Sequence, residues 1–445
     1  MVAGGVSAAT LNFSGVFVSF PLIEDTFSDT SRSTLSWGLT GYSIVVATLM
    51  VPAGWLTDRL GARRLFLGGV SLLGVGTLVV ALAVWPWMFI AGRLVQAVGS
   101  GIEIPAGTVL VLAIFPDGRR QTAMGSVAAV GGAAAAVGPA LGGLLVAVGG
   151  WRFTFLAVAP VAFVTVAMAR TRLPETPGSG DDEPPDVAGA LLLMSGVALL
   201  TLAISQGGSW GWSSASIIGC LIASAMALTL LLARSSRHRA PIIDLNLYRV
   251  RDFSLANGMS LLYLGAFAGT YFAMIQFLQN VWDLSALQAG LLAAVVPVWG
   301  GPLSFVAGTR ADRIGSRPLI VAGMICGGCG SAALALVLGD ERRIGWFIAA
   351  TSLYAIGVGL SFAPIAGAAV TRLDPTRFGI GSSVFRITQE VGSAISLAVV
   401  VAILAGDGSR AADYTPVFWL AAAICAISLA LALALSRPTR SPPPP

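Results

Sequence analysis

From residue 4 to residue 435 the chain is a succession of apolar stretches, most of them about twenty residues or longer, parted by short polar turns. A helix needs about 20 apolar residues to cross the hydrocarbon core of a bilayer. Inside that core every backbone N–H and C=O must be satisfied by the chain itself, which only helices and closed barrels achieve. A barrel would show roughly ten-residue segments of alternating polarity, and the sequence has none. The expected fold is therefore an all-α integral membrane protein. Charge agrees: 11% of the residues are charged, against about 25% in a soluble domain.

Fourteen such stretches are expected to span, near 4–23, 37–56, 65–84, 88–115, 121–148, 153–169, 187–205, 213–233, 253–277, 287–308, 319–338, 345–370, 381–404 and 416–435. Between the sixth and seventh lies a linker with Pro174, Pro177, Pro184 and Pro185 among Gly, Ser, Asp and Glu, which no helix could cross. On this reading residues 1–170 form a six-helix bundle. Residues 171–252 hold the linker, two inserted helices and a basic loop, and 253–436 form a second six-helix bundle. The Pro-rich tail 437–445 is expected to be extended or disordered. With no basic segment before the first apolar stretch, the N-terminus reads as a first span rather than a removed leader.

All 26 basic residues are Arg. With both termini inside, nineteen fall in cytoplasmic segments and five in outer loops, the asymmetry that orients membrane proteins. This points to a multi-pass protein of the plasma (inner) membrane with both termini cytoplasmic. No basic stripe interleaved with aromatics suggests nucleic acid. Cys326-Gly-Gly-Cys329 has the C-x-x-C spacing but neither polar surroundings nor further ligands, so it reads as small residues in a buried helix rather than a metal or redox site. The single His, in a loop, argues against an enzyme, and no loop is long enough for a sensor domain.

An ionisable side chain inside a span is costly and hence a functional candidate. Four qualify: Arg93, Glu103, Arg386 and Glu390. Glu103 stands in mid-helix just before Pro105, where burial favours the neutral acid that a proton carrier needs. It reads either as a proton or cation site or as one end of an ion pair with an Arg on a neighbouring helix. Gln96 lies seven positions earlier, on nearly the same face, whereas Arg93, ten positions away, is about 15 Å off along the axis. Arg386 and Glu390, four apart, can pair; a local pair and a gate or coupling role both fit.

One charged stretch occurs twice between apolar runs, in the frame G-x-x-x-D-R-x-G-x-R: Gly54, Asp58, Arg59, Gly61 and Arg63, then Gly308, Asp312, Arg313, Gly315 and Arg317. Both are expected to be turns, and the repetition indicates duplication. The stretch resembles the cytoplasmic loop motif of the major facilitator superfamily of secondary transporters. Gly92-Arg93-Leu94-Val95-Gln96-Ala97-Val98-Gly99 is similar to that superfamily's fourth-helix motif. Gly138-Pro139-Ala140-Leu141-Gly142-Gly143 resembles its antiporter motif, and Trp151-Arg152-Phe153 the turn that follows. The segment from Pro241 to Arg249 resembles the loop after the inserted pair in fourteen-span drug:proton antiporters. One position departs: Asn12 stands where that family often carries an acid in its first helix, and an amide does not titrate.

The resemblance implies alternating access around a midplane cavity, powered by a proton gradient with no other cofactor, and a monomer. It implies that Arg93 influences protonation and that Asp58 helps lock the inward face, with Gly54 and Gly61 allowing close helix approach. Gly138, Pro139, Gly142 and Gly143 read as a tight, bent helix contact. Asn12, Phe13, Tyr42, Gln96, Tyr271, Phe272, Gln276, Gln279 and Trp299 supply aromatic and amide groups for an amphipathic small molecule. The function expected is proton-coupled efflux of amphipathic drugs, antibiotics or secondary metabolites. The alternative is a uniporter or importer of a small polar solute.

Overall fold

The computed structural model describes residues 1–114, 120–175, 186–238, 241–374, 377–405 and 408–436. Residues 116–119, between the fourth and fifth expected spans, the centre of the linker and the Pro-rich tail lie outside these residues, as does the side chain of Asp312. The described chain forms α1 (Val2–Thr26), a short α2 (Arg32–Leu35), α3 (Trp37–Leu60), α4 (Ala62–Ala81), α5 (Pro86–Ile114) and α6 (Arg120–Arg172). Then come α7 (Val187–Trp210), α8 (Ala215–Ser235), a 3-10 turn (Leu245–Arg249) and α9 (Arg251–Met259), which passes through one π-helical stretch (Ser260–Leu264) into α10 (Gly265–Asn280). The last elements are α11 (Ala286–Ala293), α12 (Val295–Ile314), α13 (Ser316–Val337), α14 (Ile344–Val370), α15 (Phe378–Ile403) and α16 (Ala411–Ala434).

Among the described residues twelve helical stretches are long and apolar enough to cross a membrane, and a further pair, Arg32–Met50 and Pro52–Leu60, passes the same test across a 49° bend. This is a multi-pass membrane protein. The sequence separates 121–148 from 153–169, but α6 carries both. Its helical geometry breaks only at Gly149 and Gly150, the latter at φ 75°, a conformation that glycine alone adopts without strain.

The repeated charged stretch is more helical than expected. α3 continues through Asp58 and Arg59 to Leu60, and the chain leaves the helix only at Gly61, at φ 91°. α12 likewise runs to Ile314 and stops at Gly315, at φ 83°. The glycine supplies the left-handed backbone that lets one helix end and the next begin at once. Gly54 is not at a close helix contact among the described residues, since a Cβ there would meet nothing of them within 4 Å.

Close approach occurs instead between α4 and α5. A Cβ at Gly76 would lie 2.6 Å from the backbone nitrogen of Gln96, and one at Gly69 2.8 Å from the backbone nitrogen of Glu103. Small residues at this contact bring the two backbones together, and so fix the register of α5 and the places of Gln96 and Glu103. Farther on, α7 packs between α3 and α15. Ala190, Leu193 and Val197 of α7 share a core with Ile44, Ala47, Ile387 and Ala394. α8 leans on α7 and exposes Ile218, Ile222 and Met226.

Candidate functional site

Arg93 is fully buried on α5. Its Nε donates to the Gly38 carbonyl at 2.9 Å and Nη1 to Gln96 Oε1 at 2.6 Å. Its guanidinium lies 4.6 Å from the Tyr42 ring centroid, a cation–π contact strengthened by the burial of both groups. Gln96 passes the connection on, donating through Nε2 to Asn12 Oδ1 at 3.1 Å and to Thr77 Oγ1 at 2.9 Å. Asn12 in turn donates to the Ala8 carbonyl at 3.0 Å and to Thr77 at 3.2 Å. Tyr42 completes the group through Ser100, oxygen to oxygen 2.8 Å. Four helices (α1, α3, α4 and α5) are thus tied by one buried polar network, which fixes a single arrangement because its members satisfy one another. One donor is left over: Arg93 Nη2 has no hydrogen-bond partner among the described residues.

From Tyr42 an aromatic row crosses to the C-terminal helices. Phe13 lies 6.4 Å from Tyr42 and 4.7 Å from Phe17; Phe17 lies 6.3 Å from Tyr271, which stacks on Phe267 at 5.5 Å. Phe272 meets Phe17 and Phe20 edge-on at 5.5 and 5.2 Å. Helical spacing puts Phe272, Gln276 and Gln279 on one face of α10. Gln279 Nε2 donates to the Val18 carbonyl at 3.1 Å. Gln276 is buried, yet neither amide atom has a hydrogen-bond partner among the described residues. Trp299 is not part of this assembly: it stands half exposed on α12, because its position faces outward from the helix packing.

Glu103 lies apart from the row, inside the N-terminal helices. A Cβ at Gly5 would sit 3.0 Å from its Oε2, 3.2 Å from Val70 and 3.3 Å from Phe66. Neither carboxyl oxygen has a hydrogen-bond partner among the described residues. Among the described residues Glu103 forms no ion pair with a neighbouring Arg, the alternative the sequence allowed. Arg386 and Glu390 do pair along α15, at 3.4 Å.

The glycine-proline stretch of α6 touches both parts of the chain. A Cβ at Gly138 would lie 2.8 Å from Ser14, and one at Gly142 3.3 Å from the Gly15 Cα. Gly143 faces the other way, its Cβ position 2.6 Å from the Leu287 Cα, while α11 answers with Gly290 set against the backbone of Pro139. At the same end of the molecule Arg32 holds Glu24 at 3.1 Å and donates to the Leu404 carbonyl at 3.0 Å, and Ser33 donates to Gln206 at 2.9 Å. At the opposite end Asp58 is exposed, Arg59 lies over Trp55 at 5.1 Å, and Arg63 donates to Glu175 at 3.3 Å and to the Arg170 carbonyl. Arg313 is exposed at the end of α12. Thr77, Ser100, Arg32 and Gln206 carry no sequence signal as strong as a charge in mid-span. A hydroxyl in a span usually bonds its own helix, as Thr77 also does to the Leu73 carbonyl.

Among the described residues no group of three or more His, Cys, Asp or Glu is placed to hold a metal ion. Of the cysteines, only Cys425 is buried; Cys329 is exposed, contrary to the expectation for the pair at 326 and 329.

The family model described as Major Facilitator Superfamily matches residues 2–233 and 255–445. A methylenomycin A resistance protein of Streptomyces coelicolor is 27% identical over 91% of this chain and 84% of its own length. A multidrug resistance protein B homolog of Mycobacterium tuberculosis is 31% identical over 84% of this chain and 70% of its own. Among solved structures, an auto-inhibited POT family peptide transporter superposes with a TM-score of 0.70 at 18% identity, covering 99% of this chain and 98% of that one. At that identity the match speaks for the fold alone.

Proposed function

Because this chain belongs to the Major Facilitator Superfamily, we propose that it is a secondary transporter exporting amphipathic drugs, antibiotics or secondary metabolites in exchange for protons. The relatives named for methylenomycin and multidrug resistance support the direction and the substrate class. We read α6 as two spans parted at Gly149 and Gly150, and α3 as one bent span. With α9 and α10 joined, and α11 with α12, this gives fourteen crossings as six, two and six, with both termini cytoplasmic.

The observation that carries the reading is the aromatic row from Tyr42 through Phe13 and Phe17 to Tyr271 and Phe267, flanked by the unpartnered Gln276 amide. Flat apolar groups stack on such rings, and a single buried amide gives one hydrogen bond that orients them. In this conformation the end holding Gly143, Gly290 and Arg32 is shut, and we assign it to the outer face. Export requires those contacts to part while the opposite end closes.

Glu103 is the coupling acid in this reading, since an unpaired carboxyl in apolar surroundings is costly as an anion and so binds or releases a proton with small changes around it. The link to substrate is α1. The same helix places Gly5 against Glu103, Asn12 in the Arg93 network, and Phe13 and Phe17 in the aromatic row. A second reading, uniport of a small polar solute, is favoured by the amide of Asn12 in place of an acid.

Inverted membrane vesicles energised by respiration provide the test. Uptake of a fluorescent lipophilic cation, abolished by a proton uncoupler, is expected. Uptake that persists undiminished after the uncoupler would contradict proton exchange and favour uniport.

A further inference from the structure

The inserted pair has two chemically different ends. At one, Trp210 and Trp212 flank the turn at Gly211 and are half exposed, the position aromatic residues take at a membrane–water boundary. At the other, a cleft between the helices is lined by Leu192, Leu230, Ala233, Arg234, Arg237 and His238. Arg234 is fixed there: its Nε donates to Asp186 Oδ1, and the same oxygen caps α7 by accepting from the Gly189 amide at 2.8 Å. Asp186 is buried, whereas the Arg234 side chain remains 38% exposed. Among the described residues one carboxylate is set against two guanidinium groups, which makes the cleft cationic. Below it, Ile218, Ile222, Met226 and Leu230, each four positions from the next, form an exposed apolar strip along α8 that leads up to the cleft.

A cationic mouth over an apolar track on a membrane-facing helix fits one chemistry, a phosphate carrying a hydrocarbon chain. We infer that this cleft binds an anionic phospholipid of the adjoining leaflet, its phosphate against Arg234 and Arg237 and its acyl chain along the α8 strip. A free phosphate would have no use for the strip. Because α7 packs between α3 and α15, the bound lipid braces the insert against both parts of the chain. The inference requires only that α7 and α8 cross the membrane; it is independent of substrate, direction and proton exchange.

The test is equilibrium titration of the purified full chain in neutral detergent with spin-labelled phosphatidylglycerol, then with phosphatidylcholine. Phosphatidylglycerol is expected to bind more tightly, and Arg237→Gln to weaken it about fivefold while leaving phosphatidylcholine unchanged. Arg237 is exposed in the turn just after α8, so its substitution spares the Asp186 pair. Arg64→Gln, an exposed charge at the start of α4, is expected to leave binding unaltered. Equal affinity for the two lipids would overturn the inference, as would unchanged phosphatidylglycerol binding in Arg237→Gln. Displacement of the lipid by millimolar inorganic phosphate would overturn it too, showing a site for a free anion.

Discussion

Arg93 acts through geometry as much as through charge. Its two hydrogen bonds run in different directions, to the Gly38 carbonyl and to Gln96, while its flat face covers Tyr42. Lysine keeps the charge but has neither the fork nor the plane. Arg93→Lys is therefore expected to lower stability by about 2–3 kcal/mol, read by denaturation in detergent; a loss below about 0.5 kcal/mol would show that the network contributes little. Asn12→Asp tests the departure in the first helix. The new carboxylate would still accept from Gln96 but, as an anion, could no longer donate to the Ala8 carbonyl or to Thr77. We expect it to titrate, so that more protons are exchanged per ligand bound than in the parent protein; an unchanged proton count would place that position outside the coupling route. Arg93 and Glu103 were legible in the sequence because charge inside a span is rare and costly. The partners were not, because Thr77, Ser100 and the Gly38 carbonyl are ordinary groups until the α4–α5 register brings them to the buried Arg and Gln.

Between elements, the shut end depends on backbones that touch. Gly143 and Gly290 leave no room for a methyl group between α6 and α11, so Gly143→Ala is expected to pry them apart and favour the conformation open at that end. Ser19, fully buried on α1 next to the Val18–Gln279 bond, reports on this once changed to Cys with the four native cysteines removed. Labelling by a membrane-impermeant thiol reagent should be slow in that background and several-fold faster with Gly143→Ala; equal rates would show that the contact does not govern closure. The α7–α8 pair has its own fastening. Burial pushes the Asp186 carboxyl up, but the Arg234 hydrogen bond, the Gly189 amide and the Arg234 charge outweigh it and hold it below its usual value. A carboxyl depressed in the folded state contributes stability above its unfolded pKa, and that contribution is lost as pH falls through the folded value. Melting temperature should therefore fall on acidification less steeply in Asp186→Asn than in the parent; parallel profiles would exclude this pair as a source of acid sensitivity. Element positions were largely readable from apolar run length, whereas their ends were not. The charged stretch at 54–64 looked like a turn, yet only Gly61 leaves the helix. Nothing in the apolar pattern marked the π-helical stretch at 260–264.

For the whole molecule, the repeat of the G-x-x-x-D-R-x-G-x-R frame was visible, and both copies end a helix at a left-handed glycine. The seat of the insert was not visible, since its contact with both α3 and α15 depends on which faces meet rather than on any motif. In the proposed mechanism substrate binds at the aromatic row and the proton at Glu103, two places joined by α1. Ligand binding should therefore alter the protonation of a group that the ligand does not touch. The most direct measurement is proton release by the purified protein in weakly buffered detergent on adding lipophilic cations and neutral antibiotics, with Glu103→Gln run beside the parent and ligand binding followed separately. Ligand-driven proton release is expected from the parent and none from Glu103→Gln, which still binds ligand. Ligand binding without proton exchange in either protein would contradict coupling through Glu103.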